Sequence, residues 1–349
     1  MKKNYAVTLC LCILGLYAVA QDIPLRYFEI KPVPHKKHRP AYTKVSNSLY
    51  NSIEFVDSRE DTNYIGTVNI GLMKRDGRLK LRMPFQPQLQ ILVDSLIDST
   101  AANGKLLFQL RNFYFAEESE TRYCYLQAGL YVIQQDGYRR LSILDTVLVL
   151  TYGGAIPDML EAAGNQALSD LLAQQLPHPP KDTSIYHMQD IMSYDSIEKS
   201  RIPLFAATQY TDGIYYSYKS FSSQQPDIRG AITTDKHGAI TRVEIDTAGR
   251  RVKVKSKNLY AVVLKGKPYI ATEYGYYPLE KAHNNLYFTG DVRTAASEGD
   301  KFGAQLAFGL VGRALASAGN QTTYEMIIDP VNGTLMHLRK IPPPPEKAY

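Results

Sequence analysis

The sequence predicts an α+β fold: an N-terminal, mostly antiparallel sheet with two packed helices, then a β-dominated C-terminal part with one late helix. Period-two runs of branched and aromatic residues recur along most of the chain, whereas apolar spacing of three and four is confined to a few stretches. A proline-dense segment, Gln175-Leu176-Pro177-His178-Pro179-Pro180-Lys181-Asp182, separates the two textures. The chain divides into a leader at 1–20, a basic Pro-rich arm at 21–44, an α+β domain at 45–176, a linker at 177–201, a β-rich domain at 202–340 and a Pro-rich tail at 341–349.

In the leader, Lys2 and Lys3 precede an apolar run from Tyr5 to Leu16 that closes in Ala18-Val19-Ala20 before Gln21. This is the pattern of a secretory signal peptide with an A-x-A cleavage site. The run falls short of the ~20 residues of a membrane helix, so the mature chain is expected to begin near Gln21 without a span. Cys10 and Cys12 each follow a leucine, where lipid attachment needs a small residue. The arm carries Arg26, Lys31, Lys36, Lys37 and Arg39 with His35 and His38. It reads as a solvated leader to the first domain, with a peripheral contact to an anionic envelope surface as the alternative.

In the first domain, Ser52 to Val56 reads as a strand broken by Asp57-Ser58-Arg59-Glu60-Asp61. Tyr64 to Met73 and Arg78 to Met83 form a hairpin whose turn signal is Asp76-Gly77. From Gln88 to Ala102 the period changes: Leu89, Leu92, Val93, Leu96 and Ile97 mark an amphipathic helix closed by Asn103-Gly104. Lys105 to Phe115 and Thr121 to Gln134 make a long antiparallel pair, and Leu141 to Tyr152 adds a strand after the Asp136-Gly137 turn. A second helix starts near Pro157-Asp158, with Leu160, Ala167, Leu168, Leu171 and Leu172 on one face. The segment from Thr183 to Arg201 is polar with scattered Met and Ile and is expected to fold over one of the domains.

Beyond it, turn signals at Asp235-Lys236-His237-Gly238, Thr247-Ala248-Gly249, Lys265-Gly266-Lys267 and His283-Asn284-Asn285 divide short strands. These are Ile228 to Thr234, Ile240 to Ile245, Arg251 to Val254, Tyr260 to Leu264, Tyr269 to Glu273 and Leu286 to Phe288. Lys301 to Ala318 reads as a buried helix rich in small residues, with membrane contact the weaker alternative. Strands Thr323 to Asp329 and Thr334 to Leu338 flank the turn Asp329-Pro330-Val331-Asn332-Gly333.

The 349 residues are 44% hydrophobic and 21% charged, which excludes a disordered tail, a collagen-like fibre and a disulfide miniprotein. Once the leader is removed, Cys124 is the only cysteine left, so an exported chain holds its core by burial without an internal disulfide. Cys124 shares a strand face with Leu126, Ala128, Leu130 and Val132 and is expected to point inward. The net charge of +6 loses two lysines with the leader, and so mild an excess on an exported chain argues against nucleic-acid binding.

The run Ile53-Glu54-Phe55-Val56-Asp57-Ser58-Arg59, with Tyr64-Ile65-Gly66, a helix and long paired strands, resembles the start of YajG-type and transporter-auxiliary envelope lipoproteins. In those families a first strand ends in an Asp-x-Arg turn and Ile-Gly opens the next segment. They also carry a lipid-bearing cysteine after the signal, where this chain has Gln21, so an anchor does not carry over. Asp212-Gly213-Ile214-Tyr215, Phe221, Pro226 and Gly266-Lys267-Pro268-Tyr269-Ile270 resemble a module of uncharacterised exported two-domain proteins of Bacteroidota, which implies a bacterial source and no particular chemistry.

No nucleophile elbow, zincin helix, phosphate-binding loop or mature C-x-x-C is present, and no catalytic residue, metal ligand or cofactor site is assigned. Two groups remain as candidates. Tyr215, Tyr216, Tyr218, Tyr274, Tyr276 and Tyr277 are expected to offer an aromatic face to a sugar or peptide, against the alternative of half-buried strand tyrosines. Asp57 and Arg59 are expected to form a strand-end polar turn with a local ion pair, rather than an acid–base cluster with Glu60 and Asp61. The function expected is that of an exported cell-envelope protein, periplasmic, outer-membrane associated or secreted, that binds a partner protein or an envelope polysaccharide. The alternatives are a glycan-binding module acting through the tyrosines and a secreted hydrolase with carboxylates that the sequence does not identify.

Overall fold

The computed structural model describes residues 23–31, 44–71, 75–118, 121–151, 158–290 and 323–341. The leader, the basic stretch at 32–43, the late helix expected at 301–318 and the tail from 342 lie outside the described residues. The fold is α+β and β-rich, with mostly antiparallel sheets and one mixed sheet.

The mixed sheet is built around β5 (Gly104–Glu118), β6 (Thr121–Gln134) and β7 (Gly137–Thr151), which pair antiparallel over nearly their whole length. β2 (Tyr50–Asp57) runs parallel along the first half of β5. β3 (Gly66–Ile70) then meets the same edge of β5 further on, where Gly66 sits opposite Phe115. β4 (Arg75–Leu81) pairs with β3, and β1 (Leu25–Phe28) runs parallel to β4 as the outermost strand.

Two differences from the sequence reading arise here. Residues 25–30, read as part of a solvated arm, form β1 at Leu25–Phe28 and bury Phe28 and Ile30, while Arg26 pairs with Glu161 at 2.8 Å. Asp76-Gly77, read as the hairpin turn, lies within β4 opposite Asn69 and Val68. Ile70 pairs with Arg75, so the chain reverses between those two residues instead.

On the inner face lie α1 (Phe85–Leu96) and α2 (Asp158–Gln175). Phe85, Leu89, Leu92, Val93 and Leu96 of α1 share one core with Phe108, Phe113, Phe115, Cys124, Leu126, Leu168 and Leu172. Each fully buried aliphatic side chain here stabilises by about 1.5–3 kcal/mol. Helix α1 ends earlier than its apolar period, because Ile97 turns extended and bridges to Val45. Cys124 is fully buried and burial pushes its thiol pKa up, as its inward strand face requires.

Gly66 is fixed by close approach. Its φ is +151°, and a Cβ there would lie 2.2 Å from the carbonyl oxygen of Phe115, backbone that cannot retreat without opening the sheet. Gly66→Ala is expected to cost roughly 2–3 kcal/mol in urea unfolding. Gly71→Ala, at φ +75° but with nothing within 4 Å of its Cβ, is expected to cost less than half of that in the same measurement, about 1 kcal/mol.

The C-terminal half stacks further sheets. β8 (Gly213–Tyr215), β12 (Ala261–Leu264), β13 (Lys267–Thr272) and β14 (Gly275–Pro278) form one, in the order β14-β13-β12-β8. β9 (Ala231–Thr234), β10 (Ile240–Thr247) and β11 (Arg250–Val254) form a second, which packs on the first through Val243, Ile214, Val262 and Ile240. β15 (Glu280–Ala282), β16 (Asn285–Gly290), β17 (Tyr324–Ile328) and β18 (Leu335–Lys340) form a third. The expected turns are where the sequence puts them: Ala248 and Gly249, Lys265 and Gly266, and His283 and Asn284 all have positive φ, as tight hairpins of twisted strands require.

Candidate functional site

The outer face of β5, β6 and β7, opposite the helices, gathers the buried Gln109, Arg111, Asp329 and His337. The register of β5 on β6 slips between Leu110 and Asn112, leaving Arg111 as an extra residue. Leu106, Phe108 and Leu110 point inward before the slip and Phe113 and Phe115 after it, so Arg111 and Asn112 both fall on the outer face. The bulge thus sets a guanidinium into a covered surface.

Residues 177–201, read as a linker, supply part of the cover. Tyr186 exchanges backbone hydrogen bonds with Tyr138 at 2.8 and 2.9 Å, and two short helices follow, α3 (Met188–Met192) and α4 (Tyr194–Ser200). Ile191 is buried against Leu107 and Tyr131, and Gln109 Nε2 donates to its carbonyl at 2.6 Å. From α4, Asp195 and Glu198 each accept a hydrogen bond from Arg111 at 2.5 Å, and the Tyr194 ring lies 4.9 Å from the guanidinium carbon. The Arg111 side chain is 3% exposed. Burial, the largest single influence, opposes its charge, but the two carboxylates with their hydrogen bonds outweigh it and leave the pKa above the ordinary arginine value. Beside it, Arg140 donates to the Tyr194 hydroxyl at 2.9 Å and pairs with Asp182 at 2.9 Å.

The third sheet covers the rest of this face. Ile327 and Met336 pack against Ala116, Tyr123, Tyr125 and Val147, and the His337 ring stacks on Tyr123 at 4.6 Å with Nδ1 2.9 Å from the Tyr125 hydroxyl. The turn from β17 to β18 brings in Asp329, which is 1% exposed. Its Oδ1 accepts from the backbone amides of Val331 at 2.8 Å and Asn332 at 3.4 Å, and its Oδ2 accepts from Gln127 Nε2 of β6. The same amide donates to Asp145 of β7 at 3.2 Å, and Asn332 Nδ2 reaches the other Asp145 oxygen at 2.9 Å. Burial, then the Asp145 charge, push the Asp329 pKa up to about 7. Lys199 of α4 donates to Asn285 of β16 at 2.6 Å, and burial lowers its pKa.

The turn is also gripped from the C-terminal side. Tyr218 of the short helix α6 (Tyr218–Ser222) donates to the Pro330 carbonyl at 2.5 Å, and Tyr260 donates to the Gly333 carbonyl at 2.7 Å. Gly333 has φ +77°, and a Cβ on it would meet the Tyr218 ring at 2.1 Å. Helix α5 (Pro203–Ala206) adds Leu204 and Phe205 to the core that holds Tyr218 and Tyr260.

The chemistry of this seam is that of a clamp. A carboxyl titrating near neutrality has the pKa of a general acid, but the Asp329 oxygens are taken by two backbone amides and Gln127 in a closed contact. A cleft of about 160 Å³ lies elsewhere, lined by Ile23, Thr67, Asn69, Arg78, Glu117 and Tyr324. Small-molecule sites more often enclose about 300–1,000 Å³. Among the described residues, no group of three or more His, Cys, Asp or Glu side chains is arranged to hold a metal ion, and no helix is long and apolar enough to cross a membrane.

The six tyrosines are divided. Tyr215, Tyr218 and Tyr277 pack into the core between β8–β12–β13–β14 and the third sheet, and Tyr276 packs on the opposite face of β14. Tyr216 and Tyr274 are exposed at 42% and 41%. The alternation along β14 sends Tyr276 and Tyr277 to opposite sides, so the six share no common aromatic face. Asp57 and Arg59 do meet: Arg59 Nε and Nη2 donate to the two Asp57 oxygens at 2.8 and 2.6 Å, and Nη1 reaches the Tyr64 carbonyl at 3.2 Å. This clip carries the chain from the end of β2, where Ser58 bonds Leu110, back to β5, where Phe115 bonds Ile65.

Arg111, Asp145, Asp195, Glu198 and Gln127 have no counterpart among the sequence candidates. The one available signal was Arg111, a cation interrupting the strand Lys105 to Phe115.

No family model and no curated protein matches the chain. Among solved structures, it is similar to the crystal structure of protein XCC0632 from Xanthomonas campestris, of the family model DUF330. The identity is 14% and the TM-score 0.29, over 44% of this chain and 93% of that one.

Proposed function

We propose that this chain is an exported protein of the bacterial cell envelope that binds or scaffolds, engaging a partner protein or an envelope polymer. The observation that carries the reading is the closure of its perturbed ionisable groups. Arg111, Lys199 and Asp329 are spent on holding the 182–200 segment and the third sheet to the N-terminal sheet, which leaves recognition to exposed surfaces. The leader from Lys2 to Ala20 and the single buried mature cysteine agree with export. The Asp57–Arg59 clip agrees with the resemblance to envelope lipoproteins.

The test is cell fractionation of a C-terminally tagged copy in a diderm host, followed by crosslinking and identification of what copurifies. Loss of the first ~20 residues and enrichment of one envelope component are expected. Retention in the cytoplasm with an intact leader, or an envelope form with no partner, would sink the reading.

A further inference from the structure

The three-stranded sheet β9–β10–β11 concentrates the positive charge of the chain. Between residues 229 and 267 stand ten Lys or Arg, all exposed, against three Asp or Glu, so this segment has a net charge of +7 where the whole chain has +6. Its inner face is apolar, with Ile232, Val243, Ile245 and Val254 packed toward β8 and β12. Arg251, Lys253 and Lys255 alternate on its outer face, about 7 Å apart along the strand. Arg250 and Lys257 flank them, giving five cations and no acid from 250 to 257.

The acids opposite this row form no ion pair with it. Glu244, opposite Lys253, is held by Arg242 at 2.5 Å, and Asp246, opposite Arg251, accepts the Gly249 amide at 3.0 Å. None of the five cations forms an ion pair within 4 Å among the described residues. Strand β11 pairs only with β10 there, so the row runs along a sheet edge.

We infer that the outer face and edge of β11 bind a linear polyanion through Arg250, Arg251, Lys253, Lys255 and Lys257. The extended row Arg251, Lys253 and Lys255, with Arg250 and Lys257 at its ends, fits a chain of repeating phosphate, sulfate or carboxylate groups laid along the strand. A lipid bilayer fits less well, because Val252 is the single large apolar side chain exposed on this segment and no aromatic accompanies it for insertion. The inference deepens the envelope-binding reading, on which it rests for the setting in which such a polymer is met.

The test uses the purified mature chain with two probes, heparin and long-chain polyphosphate, titrated at several salt concentrations. About five neutralised anions should give a log–log salt slope near −3.5, or a loss on the order of 100-fold between 50 and 200 mM salt. The R251Q/K253Q/K255Q variant is expected to lose at least tenfold in affinity, while K80Q/K105Q/K181Q, with the same change in charge, stays within about twofold. R250Q/K257Q, at the two ends of the row, gives a second loss should the triple variant melt early.

Binding of heparin alone identifies a sulfated or carboxylated sugar polymer as the source, and binding of polyphosphate alone a phosphate polymer. No binding of either at 50 mM salt, equal losses in the row and control variants, or binding confined to phosphatidylglycerol vesicles overturns the inference. The envelope reading falls separately: polyanion binding by a chain that stays cytoplasmic contradicts export alone, and an envelope partner without polyanion binding contradicts this inference alone.

Discussion

Arg111→Ala is expected to lower stability by about 2–3 kcal/mol and to raise hydrogen exchange across residues 188–200. The guanidinium is buried on the sheet and serves Asp195, Glu198 and the Tyr194 face together. Its removal leaves two carboxylates without a cation over a low-dielectric surface. Those carboxylates keep 38% and 24% side-chain exposure and regain some hydration, which places the cost below the ~3–5 kcal/mol of a sealed pair. Arg111→Lys keeps the charge but not the fork, and about half of the loss is expected. Urea unfolding reads the stability, and exchange measured by mass spectrometry reads the segment. Unchanged exchange at 188–200 would mean that apolar contacts at Ile191 hold it without the ion pairs.

Asp329 gives the second large effect, and its sign is set by burial. Unfolded, the carboxyl releases its proton near 3.8; folded, it holds the proton up to about 7. Its contribution is therefore fully present below about pH 4 and is lost as pH rises through about 7. Asp329→Asn keeps an acceptor for the Val331 and Asn332 amides and removes the titration. The wild type is thus expected to lose stability relative to Asp329→Asn as pH rises from 4 to 8. Asp329→Ala leaves the Val331 and Asn332 amides without their acceptor and is expected to cost about 2–4 kcal/mol near pH 4, a cost that shrinks as pH rises through about 7 because alanine does not titrate either. Thermal unfolding of the three proteins across this range separates the effects, and parallel curves for wild type and Asp329→Asn would rule out a proton held in the fold.

What the sequence made legible was periodic. The alternation that put Cys124, Leu126 and Ala128 on one face is the face that packs on the helices, and Leu89, Leu92, Val93 and Leu96 mark the buried side of α1. The hairpin turns of the C-terminal half were legible because positive φ selects few residue types. Pairing between distant segments was not. The parallel contacts of β1 with β4 and β2 with β5 leave no turn signal between partners, so local patterns favoured a plainer antiparallel order.

The seam was hidden for the same reason. Arg111 meets Asp195 and Glu198 across 84 and 87 residues, and Gln127 meets Asp329 across 202. A bulge at Arg111 decides which face the side chain takes, and hydrophobic alternation on either side of a bulge reads as one uninterrupted strand. The tyrosines misled in the opposite direction. Their clustering in sequence suggested a shared surface, but Tyr276 and Tyr277 are adjacent in one strand and must face apart. Residues 177–201 read as a linker whose 183–201 part was expected to fold over one of the domains; which one was not legible, because its burial comes from a few side chains, Tyr186 and Ile191 above all, inside a polar segment.

The most direct measurement of the seam as a lock is hydrogen exchange through a urea titration, followed at residues 104–134 of the N-terminal sheet and 324–338 of the third sheet together. One coincident transition is expected in the wild type, splitting in Asp329→Ala as the third sheet opens at lower urea. Two separate transitions in the wild type, unaltered by the substitution, would contradict a seam that joins the two.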